Sequence, residues 1–210
     1  VPSPPSDAEL DARQAALQAE ARAVLAAPDL AALLAGIGPP VLAGSFVSGL
    51  MCWREVDVMV LAGPLFSPQD VMRLAGRIVG LAGVTGLEYR DERGPRCATG
   101  QTRDERYHVP VTMDRGGHTW QIDLTLWLHD PHHNVARWHD ELRERITAGQ
   151  RRAVLRIKDA WHRRPEYPGE VGGLEVYTAV LEAGVRTPAQ FAAWLARHEA
   201  PGQPGQAPPP

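Results

Sequence analysis

The chain is short of several residue types, and each shortage closes off a class of answers. Cysteine occurs twice in 210 residues, at Cys52 and Cys97. Two thiols so far apart in sequence make no disulfide framework, and both read as reduced cysteines of a cytosolic protein. No apolar run reaches the roughly 18 residues a membrane span needs, and the N-terminus has no signal-peptide core. The expectation is a soluble, cytoplasmic protein. Charge of one sign is also missing in bulk. The net charge is −3 and the pI about 6.3, which excludes a global field for nucleic acid or membrane. Lysine is scarcer still than cysteine: Lys158 is the single lysine among 22 basic residues.

What is present suffices for a core. With 44% hydrophobic residues, the chain can form one domain, or two small units that share a core. Residues 1–5 (VPSPP) and 200–210 (APGQPGQAPPP) are Pro/Gly-rich and are expected to be disordered tails. Ser6 with Glu9 makes a capping-box pattern before an Ala-rich helix over about 7–26. A short helix near 29–36 ends at the Gly36–Pro40 cluster. Strand-like runs follow at 41–44 and 56–61, with a helical turn between them near 46–51. Ser67-Pro68-Gln69-Asp70 opens a helix to about residue 82, with Pro68 suited to its first position. Residues 84–90 read as a third strand and 91–106 as a polar, mobile loop. Runs at 107–113 and 118–128 flank Asp114-Arg115-Gly116-Gly117, a hairpin signal. Helices are expected near 134–147, 150–163, 173–183 and 188–198. The fold class is α+β. A tail and helix (1–28) precede a small mixed sheet flanked by helices (29–130), and a helical bundle follows (131–199).

The stretch GSFVSGLMCWREVDVMVL, residues 44–61, carries the chemistry. Val56, Val58 and Val60 alternate with Glu55, Asp57 and Met59, so period-2 geometry sends both acids to one face of a strand. Like charges that close repel unless a cation lies between them. A Gly-Ser turn that opens a helix, followed by such a pair, is what binding a metal-triphosphate requires. Asp123 is a third acid. In TWQIDLTLWL it alternates against Ile122, Leu124, Leu126 and Leu128. If the strands at 56–61 and 118–128 are neighbours, Glu55, Asp57 and Asp123 converge. Hard Mg²⁺ ions take oxygen ligands from a few carboxylates plus substrate phosphates. Two such ions clamp the attacking and leaving oxygens of an in-line displacement, and a third carboxylate can accept the proton of an attacking hydroxyl.

Gly-Ser, a gap of nine residues, acid-hydrophobic-acid on a strand and a later Asp on another strand together resemble the nucleotidyltransferase superfamily of the DNA polymerase β type. The resemblance covers roughly residues 30–130, and the helical part is similar to the accessory bundle of minimal and antibiotic-modifying members. It implies that Gly44 and Ser45 hold the β- and γ-phosphates of an NTP such as ATP. Glu55 and Asp57 would be ligands of both metals. Asp123 would bind the catalytic metal and help activate the acceptor. The implied activity is Mg²⁺-dependent (Mn²⁺ as a substitute) transfer of an NMP to a hydroxyl or phosphate acceptor with release of pyrophosphate. A small-molecule acceptor suits the size and near-neutral charge, and a protein or tRNA acceptor remains open. Glu55 stands where the family more often has Asp, which lengthens that ligand by one methylene. This departure is the one support for an alternative, a non-catalytic nucleotide-binding or sensing protein of the same fold.

Three further features bear on the site. Lys158 is a candidate phosphate contact as a point charge, in keeping with the family's basic residue from the C-terminal helices. Residues 143–164 hold eight basic side chains against two acidic ones, which would draw in a nucleotide or a tRNA end or simply form a solvated helix face. Tyr177 reads as core or as a base-stacking ring. His129, His132 and His133 suggest a zinc hydrolase as a third class of answer, although no cysteine or regular spacing supports a structural zinc site. Arg90, Arg93, Arg96 and Arg103 are candidates for a lid over the substrate.

Overall fold

Two capping boxes anchor the helices that frame the sheet, and both were legible as short local patterns. Ser6 and Glu9 bond each other's backbone at the start of α1 (Asp7–Leu25). Ser67 and Asp70 do the same at α4 (Pro68–Ile78), where Pro68 takes a first-turn position that needs no N–H. The computed structural model describes residues 4–97, 99–129 and 132–198. The Pro/Gly-rich tail at 200–210 and the side chains of His132 and His133 lie outside that description.

Between and after these helices come α2 (Pro28–Ala35), β1 (Pro40–Leu42), α3 (Gly44–Ser48), β2 (Glu55–Leu61), β3 (Val84–Leu87), β4 (Arg90–Glu92), β5 (Arg106–Arg115) and β6 (His118–Trp127). The chain then turns helical as α5 (His132–Arg145), α6 (Ala148–Trp161), α7 (Gly173–Leu181) and α8 (Pro188–His198). The architecture is mixed α+β, with an open six-stranded sheet in the order β1-β2-β6-β5-β3 and β4 beside β5. The β2–β6 pair is parallel, and every other pair is antiparallel.

Alternation along the strands separates the faces. On one face Val56, Val58 and Val60 of β2, Ile122, Leu124 and Leu126 of β6, and Val109 and Val111 of β5 are buried. They pack against Leu17 and Ala21 of α1, Leu33 of α2, and Val71 and Leu74 of α4. Each such side chain removed from water contributes about 1.5–3 kcal/mol, so the valines of β2 fix which way its acids point. The opposite face carries Glu55, Asp57 and Asp123. Further along it closes over Ala43, Met59 and Trp127, with Val135 and Ala136 of α5 against them.

A second cluster joins α5 to α8 through Leu142, Val154, Ile157, Val176, Val180 and Phe191. Leu10 of α1 and Leu50, just after α3, belong to that cluster, so the bundle grips the sheet unit through α1 and the Gly-Ser segment.

Two stretches differ from expectation. Residues 91–106 form no open loop: they contain β4 and two single turns of 3₁₀ helix, Gly94–Arg96 and Thr102–Asp104. Ion pairs hold the segment. Arg93 and Arg96 both reach Asp91 at 2.8 and 2.6 Å, Arg90 reaches Glu88 at 2.7 Å, and Arg106 reaches Glu92 at 2.5 Å. The basic excess of α6 is also largely neutralised in place. Arg156 pairs with Asp7, Arg151 lies 3.5 Å from Asp11, and Arg152 lies 3.9 Å from both Asp7 and Asp11. The acids that match the α6 arginines come from α1, which no local count in residues 143–164 could include.

Candidate functional site

β2 and β6 run parallel with Asp57 directly beside Asp123 in the ladder and Glu55 beside Gln121. Adjacent strands lie about 4.8 Å apart, and side chains in register share a face. The two strands are neighbours, as the sequence reading required, and the three acids lie on one face of the sheet. All three carboxylates are partly exposed on the same face.

Their electrostatics follow from crowding. Burial raises the Glu55 carboxyl well above the ordinary carboxylate range, and the charges of Asp57 and Asp123 raise it further, while Lys158 works against them. Asp57 is raised to about 6, first by burial and then by Asp123, with Lys158 and His108 opposing. Burial and the neighbouring like charges both disfavour the ionised forms of these acids.

Gly44 explains how a backbone can approach that cluster. It has φ of +63°, and a Cβ placed on it would stand 1.7 Å from Asp57 Oδ2. Only glycine permits both the left-handed backbone and the contact. The chain then enters α3, whose first turn has no side-chain cap. Its backbone N–H groups thus begin beside the Asp57 carboxylate. The next side chain, Ser45, is 5% exposed, and its hydroxyl has no hydrogen-bond partner among the described residues. A buried hydroxyl without a partner costs about 1–3 kcal/mol, a cost that a bound acceptor oxygen would remove.

Lys158 does not lie in open solvent. It is 2% exposed, and its ammonium donates to the Leu50 carbonyl at 3.1 Å and the Tyr177 hydroxyl at 3.4 Å. Burial works against its charge, but the Tyr167, Tyr177, Cys52 and Glu55 side chains together hold it well above its usual range. The lone lysine is thus a buried cation behind the acid pair, held by the segment that links α3 to β2. Tyr177 is itself buried and packs against Trp138, which makes it core. Burial also pushes the Cys52 thiol up to about 11, so this cysteine is an inert neighbour.

Two residues that sequence reading did not single out complete the surroundings. His108 of β5 shares a short hydrogen bond between its Nε2 and Asp123 Oδ1. Trp53 precedes Glu55 by two positions and forms part of a cleft of about 670 Å³ with Arg13, Glu20, Arg54, Gln121 and His162. That cleft opens at the N-terminal ends of β2 and β6. The three acids do not line it, but Gln121 is the ladder partner of Glu55. The hairpin signal at 114–117 already brought these strands together, and its register, which sets His108 opposite Thr125, is the signal that could have found His108.

The donor set suits a hard divalent ion. Three carboxylates, a glycine that lets backbone meet them and an unpartnered hydroxyl are all oxygen or amide chemistry. Among the described residues no group of three His, Cys, Asp or Glu side chains stands ready to hold an ion by itself. Of the 129–133 histidines, only the His129 side chain is described, 3.9 Å from Glu105 Oε2. The arginines suggested as a lid are those engaged by Asp91 and Glu88, and Arg103 lies 3.7 Å from Asp104. No described helix is long and apolar enough to cross a membrane. No protein-family model and no curated protein matches the chain.

Proposed function

We propose that the protein is a Mg²⁺-dependent nucleotidyltransferase that moves an NMP from an NTP to a hydroxyl or phosphate acceptor. The observation that carries this reading is the side-by-side placement of Asp57 and Asp123 with Gly44 pressed against Asp57. A metal-bound phosphate chain needs backbone N–H donors for its oxygens and, nearby, carboxylates for its cation. A glycine in contact with the second acid brings the two together.

Glu55, Asp57 and Asp123 would hold the ion, which when bound supplies charge neutralisation for the triphosphate and the acid cluster alike. The first turn of α3 and the Ser45 hydroxyl would bind the outer phosphates. The acceptor oxygen attacks the α-phosphorus in line, an oxygen–phosphorus bond forms, and the bond to the β-phosphate bridging oxygen breaks to release pyrophosphate. Asp123 would take the acceptor proton. Most of the acceleration comes from positioning and charge, as in phosphoryl transfer generally. Lys158 serves this reading as a fixed positive charge behind Glu55 and Asp57. Its burial favours a role in setting the charge of the acids over direct grip on a phosphate.

The test is incubation with each α-labelled NTP and Mg²⁺, followed by label transfer and pyrophosphate release, with Asp57→Asn alongside. Metal-dependent NTP binding that the variant loses is the expected result. Binding indifferent to Mg²⁺, or a fully active variant, would remove the proposal.

A further inference from the structure

We infer that His108 is a positioning residue for Asp123, the end of a side-chain relay that fixes how this carboxylate faces the site. The inference rests on the nucleotidyl-transfer reading and adds a residue to it. In the β5–β6 ladder Pro110 stands opposite Asp123 and His108 opposite Thr125. His108 is therefore the diagonal, same-face neighbour of Asp123, within reach of a long side chain. His108 Nε2 and Asp123 Oδ1 share a hydrogen bond, in which the imidazole N–H is the donor whenever the carboxylate is ionised.

A charged pair stands behind the ring. His108 Nδ1 lies 3.9 Å from Glu92 Oε1, and the other oxygen of Glu92 accepts from Arg106 Nε at 2.5 Å. The Arg106 guanidinium in turn sits over the Trp127 ring, 5.0 Å from its centroid. Trp127 is buried, and the His108, Glu92, Arg106 and Asp123 side chains are each less than 30% exposed. The relay runs from Trp127 through Arg106, Glu92 and His108 to Asp123, across three strands. A ring bonded through Nε2 and packed beside Glu92 limits the rotation of the carboxylate it bonds. Asp123 then reaches its ligand without first losing rotational freedom. Neither Glu55 nor Asp57 has such a support from β5, because β6 lies between.

The experiment titrates Mn²⁺ into the full chain in the presence of a non-hydrolysable NTP analogue, read by electron paramagnetic resonance. Wild type is compared with His108→Ala, His108→Gln, Glu92→Gln and Asp57→Asn. Removing such an outer support typically weakens metal binding about 10–100-fold. The expected result is a loss of roughly tenfold or more for His108→Ala, with most of it recovered by His108→Gln, whose amide N–H can replace Nε2–H. Glu92→Gln, which leaves the imidazole bond intact but removes the carboxylate charge beside Nδ1, is expected to fall between. Should His108→Ala be unstable, Glu92→Gln carries the test. Wild-type Mn²⁺ affinity in either His108→Ala or Glu92→Gln, or His108→Gln as weak as alanine, would overturn the inference. If wild type and Asp57→Asn bind Mn²⁺ equally, the nucleotidyl-transfer reading itself fails.

Discussion

Gly44 and Asp57 touch so closely that a single methyl group on the glycine would fall 1.7 Å from the Asp57 carboxylate oxygen. The contact couples the Gly-Ser turn to the acid strand as one rigid unit. Gly44→Ala would force a left-handed alanine and displace Asp57, at a cost of about 1–3 kcal/mol. Thermal unfolding should show that loss, and Mg²⁺–nucleotide binding should disappear even where the fold survives.

Ser45 predicts the opposite for stability. Its buried hydroxyl has no partner, so Ser45→Ala removes an unsatisfied group and should leave stability unchanged or raise it by about 1 kcal/mol. Nucleotide binding should weaken in the same variant. A melting curve and a nucleotide titration on one sample separate the two effects.

Asp57 sets a pH dependence. Its folded-state pKa is raised from 3.8 to about 6, so between those values the folded protein holds a proton that the unfolded chain has released. Stability of the metal-free protein therefore falls as pH rises through that window and stays lower above it. Asp57→Asn removes the effect. The variant should match wild type near pH 4 and exceed it by roughly 1–3 kcal/mol near pH 8. Mg²⁺ with nucleotide should raise the wild-type melting temperature and not that of the variant.

Lys158→Met would strip a buried donor from the Leu50 carbonyl and the Tyr177 hydroxyl. It would also remove the one cation that opposes the rise of both Glu55 and Asp57. A destabilisation of about 3 kcal/mol is expected. The Mg²⁺ dependence of nucleotide binding should shift to higher pH, because the acids then give up their protons later. Denaturant unfolding and binding across pH 6–9 check both.

Local chemistry made part of this molecule readable directly. Ser6 with Glu9, and Ser67 with Pro68 and Asp70, mark helix starts because a cap is satisfied within four residues. Glu55 and Asp57 share a face because strand periodicity is a property of the backbone. The pairing of Asp57 with Asp123 was legible only as a condition, since register between distant strands depends on what the remaining faces bury. That condition is met because Val56 and Val58 share the core with Ile122 and Leu124.

Composition misled where charge is matched from afar. The α6 arginines find their acids on α1, with Arg156 and Asp7 separated by 149 positions. Lys158 reads in sequence as a phosphate contact, whereas in the fold it is buried, with the Leu50 carbonyl and the Tyr177 hydroxyl accepting from its ammonium. His108 was within reach of the hairpin signal at 114–117, but its bond to Asp123 follows only once the register sets His108 opposite Thr125. The sequence by itself determined the elements, the faces of the strands and the identity of the acids, all of which act over a few residues. Tertiary structure decided which strands are neighbours, which cation lies behind the acids and which imidazole holds the third. Those are long-range choices, made by burial of apolar faces and by pairing of charges that the chain brings together only once it is folded.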